Sequence, residues 1–222
     1  MHATAANTST DELAAQIARD LILTGAFGSN LAQPFTWASG WRSPVYCDNR
    51  ITLSYPDVRR RITDGLLAAL APQLTEIDAI AAVATGGIAQ GAWLAERLGL
   101  PLVYIRAEAK AHGKGRQVEG HLAPAARVAV VEDLVSTGGS SLKAVEALRA
   151  EGADVRVLLC TFHYGFGVAY QRFAQAQVYV RSLCYLQHLL AELAHGQVLP
   201  SADLDAILAW QRDPANWQPI QP

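Results

Sequence analysis

The fourteen residues from Val128 to Ser141, VAVVEDLVSTGGSS, constrain the fold of this chain more than any other stretch. Val128 to Val131 form an unbroken apolar run, which suits a strand buried on both faces, as in the parallel sheets of α/β domains. Glu132 and Asp133 follow where such a strand would emerge, and open parallel sheets bind ligands at that carboxyl edge. Ser136-Thr137-Gly138-Gly139-Ser140 then reads as a tight turn opening onto a helix, with side chains small enough for backbone N–H groups to approach an anion. Hydroxyls and a helix N-terminus suit phosphate. Paired carboxylates repel phosphate but accept hydrogen bonds from vicinal hydroxyls or, indirectly, hold magnesium. The order strand, acids, small-residue loop, helix therefore implies a sugar phosphate. An ordinary capped helix with two solvated acids would account for the pieces but not for their order.

The rest of the chain reads as a frame for this stretch. Ser9-Thr10-Asp11-Glu12 resembles a capping box, and Leu13, Ile17 and Leu21 follow at helical spacing, predicting a helix over residues 10–24 that stops at Thr24-Gly25. The aromatic-bearing segment from Phe35 to Asp48 predicts two short strands around a Ser39-Gly40 turn, a flap more than a core element. Pro56-Asp57 opens a second helix with Val58, Ile62, Leu66 and Leu70 inward. Residues 77–84 predict a buried strand, and Thr85-Gly86-Gly87 leads into a helix near 88–98 that is closed by Gly99. A strand over 101–106 is followed by a charged, glycine-rich segment, 107–126, without periodicity, the kind of long loop that usually carries function. After the central strand and its helix, strands are expected at 154–162 and 177–181, with helices near 166–175, 185–195 and 201–212. Alternating strands and helices imply an α/β fold with a parallel sheet covered on both faces.

Composition excludes several classes. At 222 residues, 51% of them apolar, the chain has ample material for a core, while a net charge of −2 gives no footprint for nucleic acid or an anionic membrane. No apolar run reaches membrane-spanning length, and the first ten residues lack the pattern of a signal peptide. Cys47, Cys160 and Cys184 are too scattered for a zinc site or a disulfide framework, and no histidine shows metal-ligand spacing. A cytoplasmic protein acting on small molecules is expected, with no structural metal.

The Glu132–Ser140 stretch resembles the phosphoribosyl pyrophosphate motif of the type I phosphoribosyltransferases. Arg106-Ala-Glu-Ala-Lys110-Ala-His112-Gly113 is similar to the mobile catalytic loop of the orotate phosphoribosyltransferases. Phe35-Thr36, Ser39-Gly40, Ser43-Pro44, Tyr46 and Asp48 are similar to their N-terminal hood, and Trp210 to Trp217 to the tail of a bacterial subgroup. The resemblance implies the type I phosphoribosyltransferase fold: a central, mainly parallel sheet flanked by helices, with a small N-terminal hood. It implies one domain over residues 1–222, with helix and hood to about 50, the α/β core from about 55 to 182, and C-terminal helices from about 183. It also implies transfer of a phosphoribosyl group to orotate with release of pyrophosphate, Mg2+ held mainly through substrate and water, and a homodimer with shared sites.

By the same resemblance, Glu132 and Asp133 hold the ribose hydroxyls, Leu134 and Val135 continue the phosphoribosyl pyrophosphate site, and Ser136, Thr137, Gly138, Gly139 and Ser140 wrap the 5-phosphate. Thr85, Gly86 and Gly87 form the pyrophosphate loop. Arg106, Lys110 and His112 are the catalytic set, and Ser136, Ser39 and Gly40 meet orotate. Mobile cations make chemical sense here, because displacement at the anomeric carbon expels a polyanion: Lys110 stabilises the departing charge, Arg106 clamps its oxygens, and His112 donates to them or moves a proton. The sequence departs from the family at Ala107, often lysine there, and at Ala38 and Trp41, where some members carry basic hood residues. Thr161-Phe-His-Tyr164 also lacks the strand-end arginine that some members use for orotate, leaving the hood backbone, Ser136 and Tyr164 as candidates for the base. Two other functions fit parts of the pattern: a type I transferase for a purine or other base, and a non-catalytic sensor of phosphoribosyl pyrophosphate.

Overall fold

A computed structural model describes residues 4–37, 40–108 and 117–219; of residues 4–9 it describes the backbone. Helix α1 (Thr4–Leu23) is followed by the short strands β1 (Phe27–Ser29), β2 (Phe35–Thr36), β3 (Arg42–Ser43) and β4 (Val45–Cys47). Next come α2 (Pro56–Leu70), β5 (Ala79–Val83), α3 (Gly87–Leu98), β6 (Leu102–Ile105) and β7 (Val118–Glu119). The chain continues through β8 (Arg127–Val135), α4 (Gly139–Ala150), β9 (Asp154–His163), α5 (Gly167–Gln175), β10 (Val180–Tyr185), α6 (Leu186–His195) and α7 (Ser201–Arg212).

Six strands form the main sheet in the order β10-β9-β8-β5-β6-β7, parallel except for β7. The central strands β5 and β8 bury both faces, as their apolar runs require. Along β8, Ala129 and Val131 join a core shared with Ile17, Leu66 and Trp210, while Val128 and Val130 join a second core with Val145, Leu148 and Phe173. That alternation is the period of two of a strand applied to a run with no polar face. Ala82 of β5 faces Gly91 of α3, where a methyl would lie 2.7 Å from its Cβ, so α3 can sit close against the sheet. Cys47, Cys160 and Cys184 are free and buried, and burial pushes the Cys160 thiol up to about 12.

Several boundaries differ from the expectations. Helix α1 starts at Thr4, so Ser9 to Glu12 lie within it and do not cap it; the alanine-rich segment upstream favours continuation. The last sheet strand is Val180–Tyr185 rather than 177–181. Gln177 has φ +53, and Val178 returns its N–H to Phe173 at 2.9 Å, so the residues closing α5 delay the strand. β10 thereby crosses the division near residue 182. The segment after β6 is not wholly irregular, since Val118 and Glu119 pair antiparallel with Ile105 and Tyr104. β8 runs on to Val135, placing both acids inside the strand rather than beyond its end.

The hood forms as expected, with β2 and β3 antiparallel around a turn in which Gly40 has φ +84. It is anchored more firmly than a flap. Trp37 packs on Tyr164, Phe166 and Trp210 with ring centroids 4.9, 6.0 and 5.6 Å away, and Trp210 donates from Nε1 to the Arg42 carbonyl at 3.0 Å. β4 pairs with β1, and Val45 and Cys47 are buried.

Candidate active site

Adjacent parallel strands with matched registers bring their following loops together. Ala82 of β5 pairs with Val131 of β8, so the chain leaving β5 at Thr85-Gly86-Gly87 passes directly over Glu132 and Asp133. The fit requires glycine. A methyl on Gly86 would overlap the Asp133 carboxylate, and one on Gly87 would lie 2.5 Å from the Val131 carbonyl oxygen. The Ala84–Thr85 peptide is cis, and Thr85 itself is exposed.

Glu132 is 5% exposed, with Ser141 Oγ donating to its Oε2 at 3.0 Å and the Asp133 N–H donating to Oε1 at 3.2 Å. Burial, and then the charge of Asp133, push the Glu132 carboxyl well above the usual carboxylate range. Asp133 is partly exposed. Its Oδ1 accepts from the Leu134 N–H at 2.8 Å, and its carbonyl accepts from Asn49 Nδ2. The pair is thus one buried, protein-bound acid and one acid turned to the loop that crosses it.

The chain then turns through Ser136 and Thr137 to Gly138, which has φ +78 and caps α4 without any side-chain hydrogen bond. Glycine serves twice here, because a side chain would be strained at that φ and would meet the Phe173 ring at 2.9 Å. With no side-chain cap, the first-turn N–H groups of α4 form a ready anion site. Arg172 of α5 reaches the same loop, donating from Nη1 to the Thr137 carbonyl at 3.1 Å.

The structure therefore brings Thr85, Gly86, Gly87, Glu132, Asp133 and Ser136 to Ser140 to one edge of the sheet. Leu134 and Val135 frame it, with Val135 buried and its carbonyl accepting from the Tyr164 N–H at 3.0 Å. Arg106 stands just past β6, held by its N–H to the Gln117 carbonyl at 3.0 Å and by its guanidinium 3.6 Å from Glu119. Gly40 lies at the hairpin turn with open space around it, and Lys110, His112, Ser39 and Ala38 lie outside the described residues. Tyr164 is not available to a base: it is 2% exposed, and its hydroxyl accepts from the Cys47 N–H at 3.1 Å inside the hood–core packing. Asn49, Ser141 and Arg172 were not singled out by sequence. Ser141 could have been, as a hydroxyl on the first turn of α4; Asn49 and Arg172 come from distant segments with no motif around them. A cavity of about 630 Å3 between α1, α2 and the edge strand β10 contains none of the site residues.

The phosphoribosyl transferase domain family matches residues 61–178, a span that takes in both glycine loops and both acids. The orotate phosphoribosyltransferase of Enterococcus faecalis is 43% identical over 206 residues, covering 93% of this chain and 98% of that protein. The chain belongs to the orotate phosphoribosyltransferases. The orotate phosphoribosyltransferase of Phocaeicola vulgatus is 46% identical over 187 residues, 84% of this chain and 88% of its own. Among solved structures, the orotate phosphoribosyltransferase of Aeropyrum pernix superposes with a TM-score of 0.72 at 37% identity, covering 81% of this chain and 99% of that one. The UMP synthase of Leishmania donovani shares the fold, with a TM-score of 0.76 at 24% identity over 88% of this chain and 42% of its own. Among the described residues, no helix is long and apolar enough to cross a membrane.

Proposed function

We propose that the protein transfers the 5-phosphoribosyl group of phosphoribosyl pyrophosphate to orotate, giving orotidine 5′-monophosphate and pyrophosphate for pyrimidine synthesis. The observation that supports this reading is the close approach of Gly86 to the Asp133 carboxylate, which a Cβ on that glycine would overlap; a backbone-lined loop beside a partly exposed acid suits a pyrophosphate next to ribose hydroxyls. The N-terminus of α4, one turn farther along, takes the 5-phosphate. Those three positions match the three parts of the donor.

Asp133 is the partly exposed acid of the pair and accepts from ribose hydroxyls, while Glu132, fixed by Ser141, sets the position of the strand end beneath it. Arg106 and Lys110 supply charge to the departing pyrophosphate, and His112 donates to its oxygens. The oxygen-only donor set at the strand end suits a hard cation shared with substrate. Among the described residues no group of three or more potential ligands could hold a metal by itself. Mg2+ is held mainly through the substrate and water, beside the partly exposed Asp133, and when bound it neutralises pyrophosphate charge. A homodimer with shared sites completes this reading.

The test is to incubate the protein with phosphoribosyl pyrophosphate and Mg2+, together with orotate or each common purine base, and identify the nucleotide formed. Orotidine 5′-monophosphate is expected from orotate. Nucleotide from a purine and none from orotate would reassign the acceptor, and no nucleotide from any base would leave a sensor in place of an enzyme.

A further inference from the structure

We propose that Arg172 of α5 is the cation that binds the 5-phosphate of the donor, a specificity residue supplied from outside the strand-loop-helix motif. The inference rests on the reading above, in which the Ser136–Ser140 loop receives that phosphate. A phosphate monoester carries nearly two negative charges at neutral pH, yet this loop contains no cation and follows directly on two acids. The open N-terminus of α4 offers about half a positive charge, which leaves most of the phosphate charge unmatched.

Helix α5 packs on the loop at two successive residues. The Phe173 ring fills the space where a side chain on Gly138 would be, 2.9 Å away, and fixes the turn from one side. Arg172 reaches it from another, with Nη1 donating to the Thr137 carbonyl at 3.1 Å and lying 3.8 Å from where a methyl on Gly139 would sit. One arm of the guanidinium is thereby fixed to the backbone of the loop, beside the uncapped first turn of α4. Among the described residues, Arg172 forms no salt bridge, so its charge is not already cancelled by a carboxylate. Arg172 and Thr137 also share the wall of a cavity of about 380 Å3 with Trp41 and Arg212, which leaves room for a phosphate beside the loop. A planar fork with one arm anchored and the others unpaired among the described residues suits phosphate oxygens better than a single ammonium would.

Calorimetric titration of ribose 5-phosphate and of inorganic pyrophosphate into the wild type, Arg172→Ala and Arg172→Lys, with thermal melting of each variant, separates the possibilities. Arg172→Ala should weaken ribose 5-phosphate roughly 10-fold or more, and Arg172→Lys should recover part of that loss. Pyrophosphate, which lacks the 5-phosphate, should bind within about 2-fold of wild type. Equal ribose 5-phosphate affinity in wild type and Arg172→Ala overturns the role of Arg172 alone. A matched loss for pyrophosphate also overturns it, by showing general collapse of the site. Failure of the wild type to bind ribose 5-phosphate would instead remove the phosphate-loop reading on which the inference stands.

Discussion

At the scale of single residues, two buried ionisable groups respond to pH in opposite directions. Glu132 is raised by burial and by Asp133, so the folded chain holds its proton at pH values where the unfolded chain has released it. Stability from this group is full below the ordinary carboxylate range and is lost as pH rises through its folded value. His163 is 1% exposed at the end of β9. Its Nδ1 accepts from the Gly165 N–H at 2.7 Å, so the proton of the neutral ring sits on Nε2, where it has no hydrogen-bond partner among the described residues. Burial lowers its pKa from 6.5 to about 4, so the unfolded chain takes up a proton before the folded one, and stability falls as pH drops from 6.5 towards 4. The total at stake is on the order of 3 kcal/mol. Denaturant melts of wild type and His163→Asn across pH 4 to 7 should show a steep loss for the former and a flatter profile for the latter; parallel profiles would mean that another group governs the acid limb. Neither behaviour was legible in sequence. Glu132 reads there as one of two equivalent acids, and only the neighbouring Ser141 and the length of β8 show that one is buried and the other is not.

At the scale of elements, the site is a meeting of two strand-to-helix turns, and its precision depends on residues without side chains. The sequence carried this far: the apolar runs of β5 and β8 and the glycines after each predicted both turns and the helices they open. The contact between them was not legible, because it arises from strand order. β5 and β8 are neighbours in the sheet although β6 and β7 lie between them in the chain. The same gap hid α5 as a wall of the phosphate loop. Gly86→Ala should therefore damage function more than stability, because its methyl is directed at Asp133, which can yield only by leaving its place beneath the loop. A loss of turnover of roughly 100-fold or more is expected in steady-state assays, with thermal unfolding lowered modestly. Near-normal turnover would show that the loop and the acid need not touch.

At the scale of the whole molecule, the two ends of the chain close on the same core. Trp210 of α7 is fully buried, bonded to the Arg42 carbonyl and packed edge-on to Trp37, Tyr164 and Phe166, so the tail fastens the hood to the end of β9. This explains why the aromatic residues of a segment that reads in sequence as a flap pack into the core, and why Tyr164 is withdrawn from the base. Assembly beyond one chain has its own test. If Lys110 acts across a homodimer, Lys110→Ala and Asp133→Asn should each be nearly inactive, while subunit exchange between them restores part of the activity; a mixture no better than its components would confine the lid to its own chain. The central claim, that the site at Asp133 is where a ribosyl donor parts from its pyrophosphate, is tested most directly by orotate-dependent pyrophosphate release. With phosphoribosyl pyrophosphate and Mg2+, the wild type should release one pyrophosphate per orotate consumed and little without orotate, and Asp133→Asn should be slower by roughly 100-fold or more with its fold intact. Wild-type release from Asp133→Asn, or release that ignores orotate, would contradict the account.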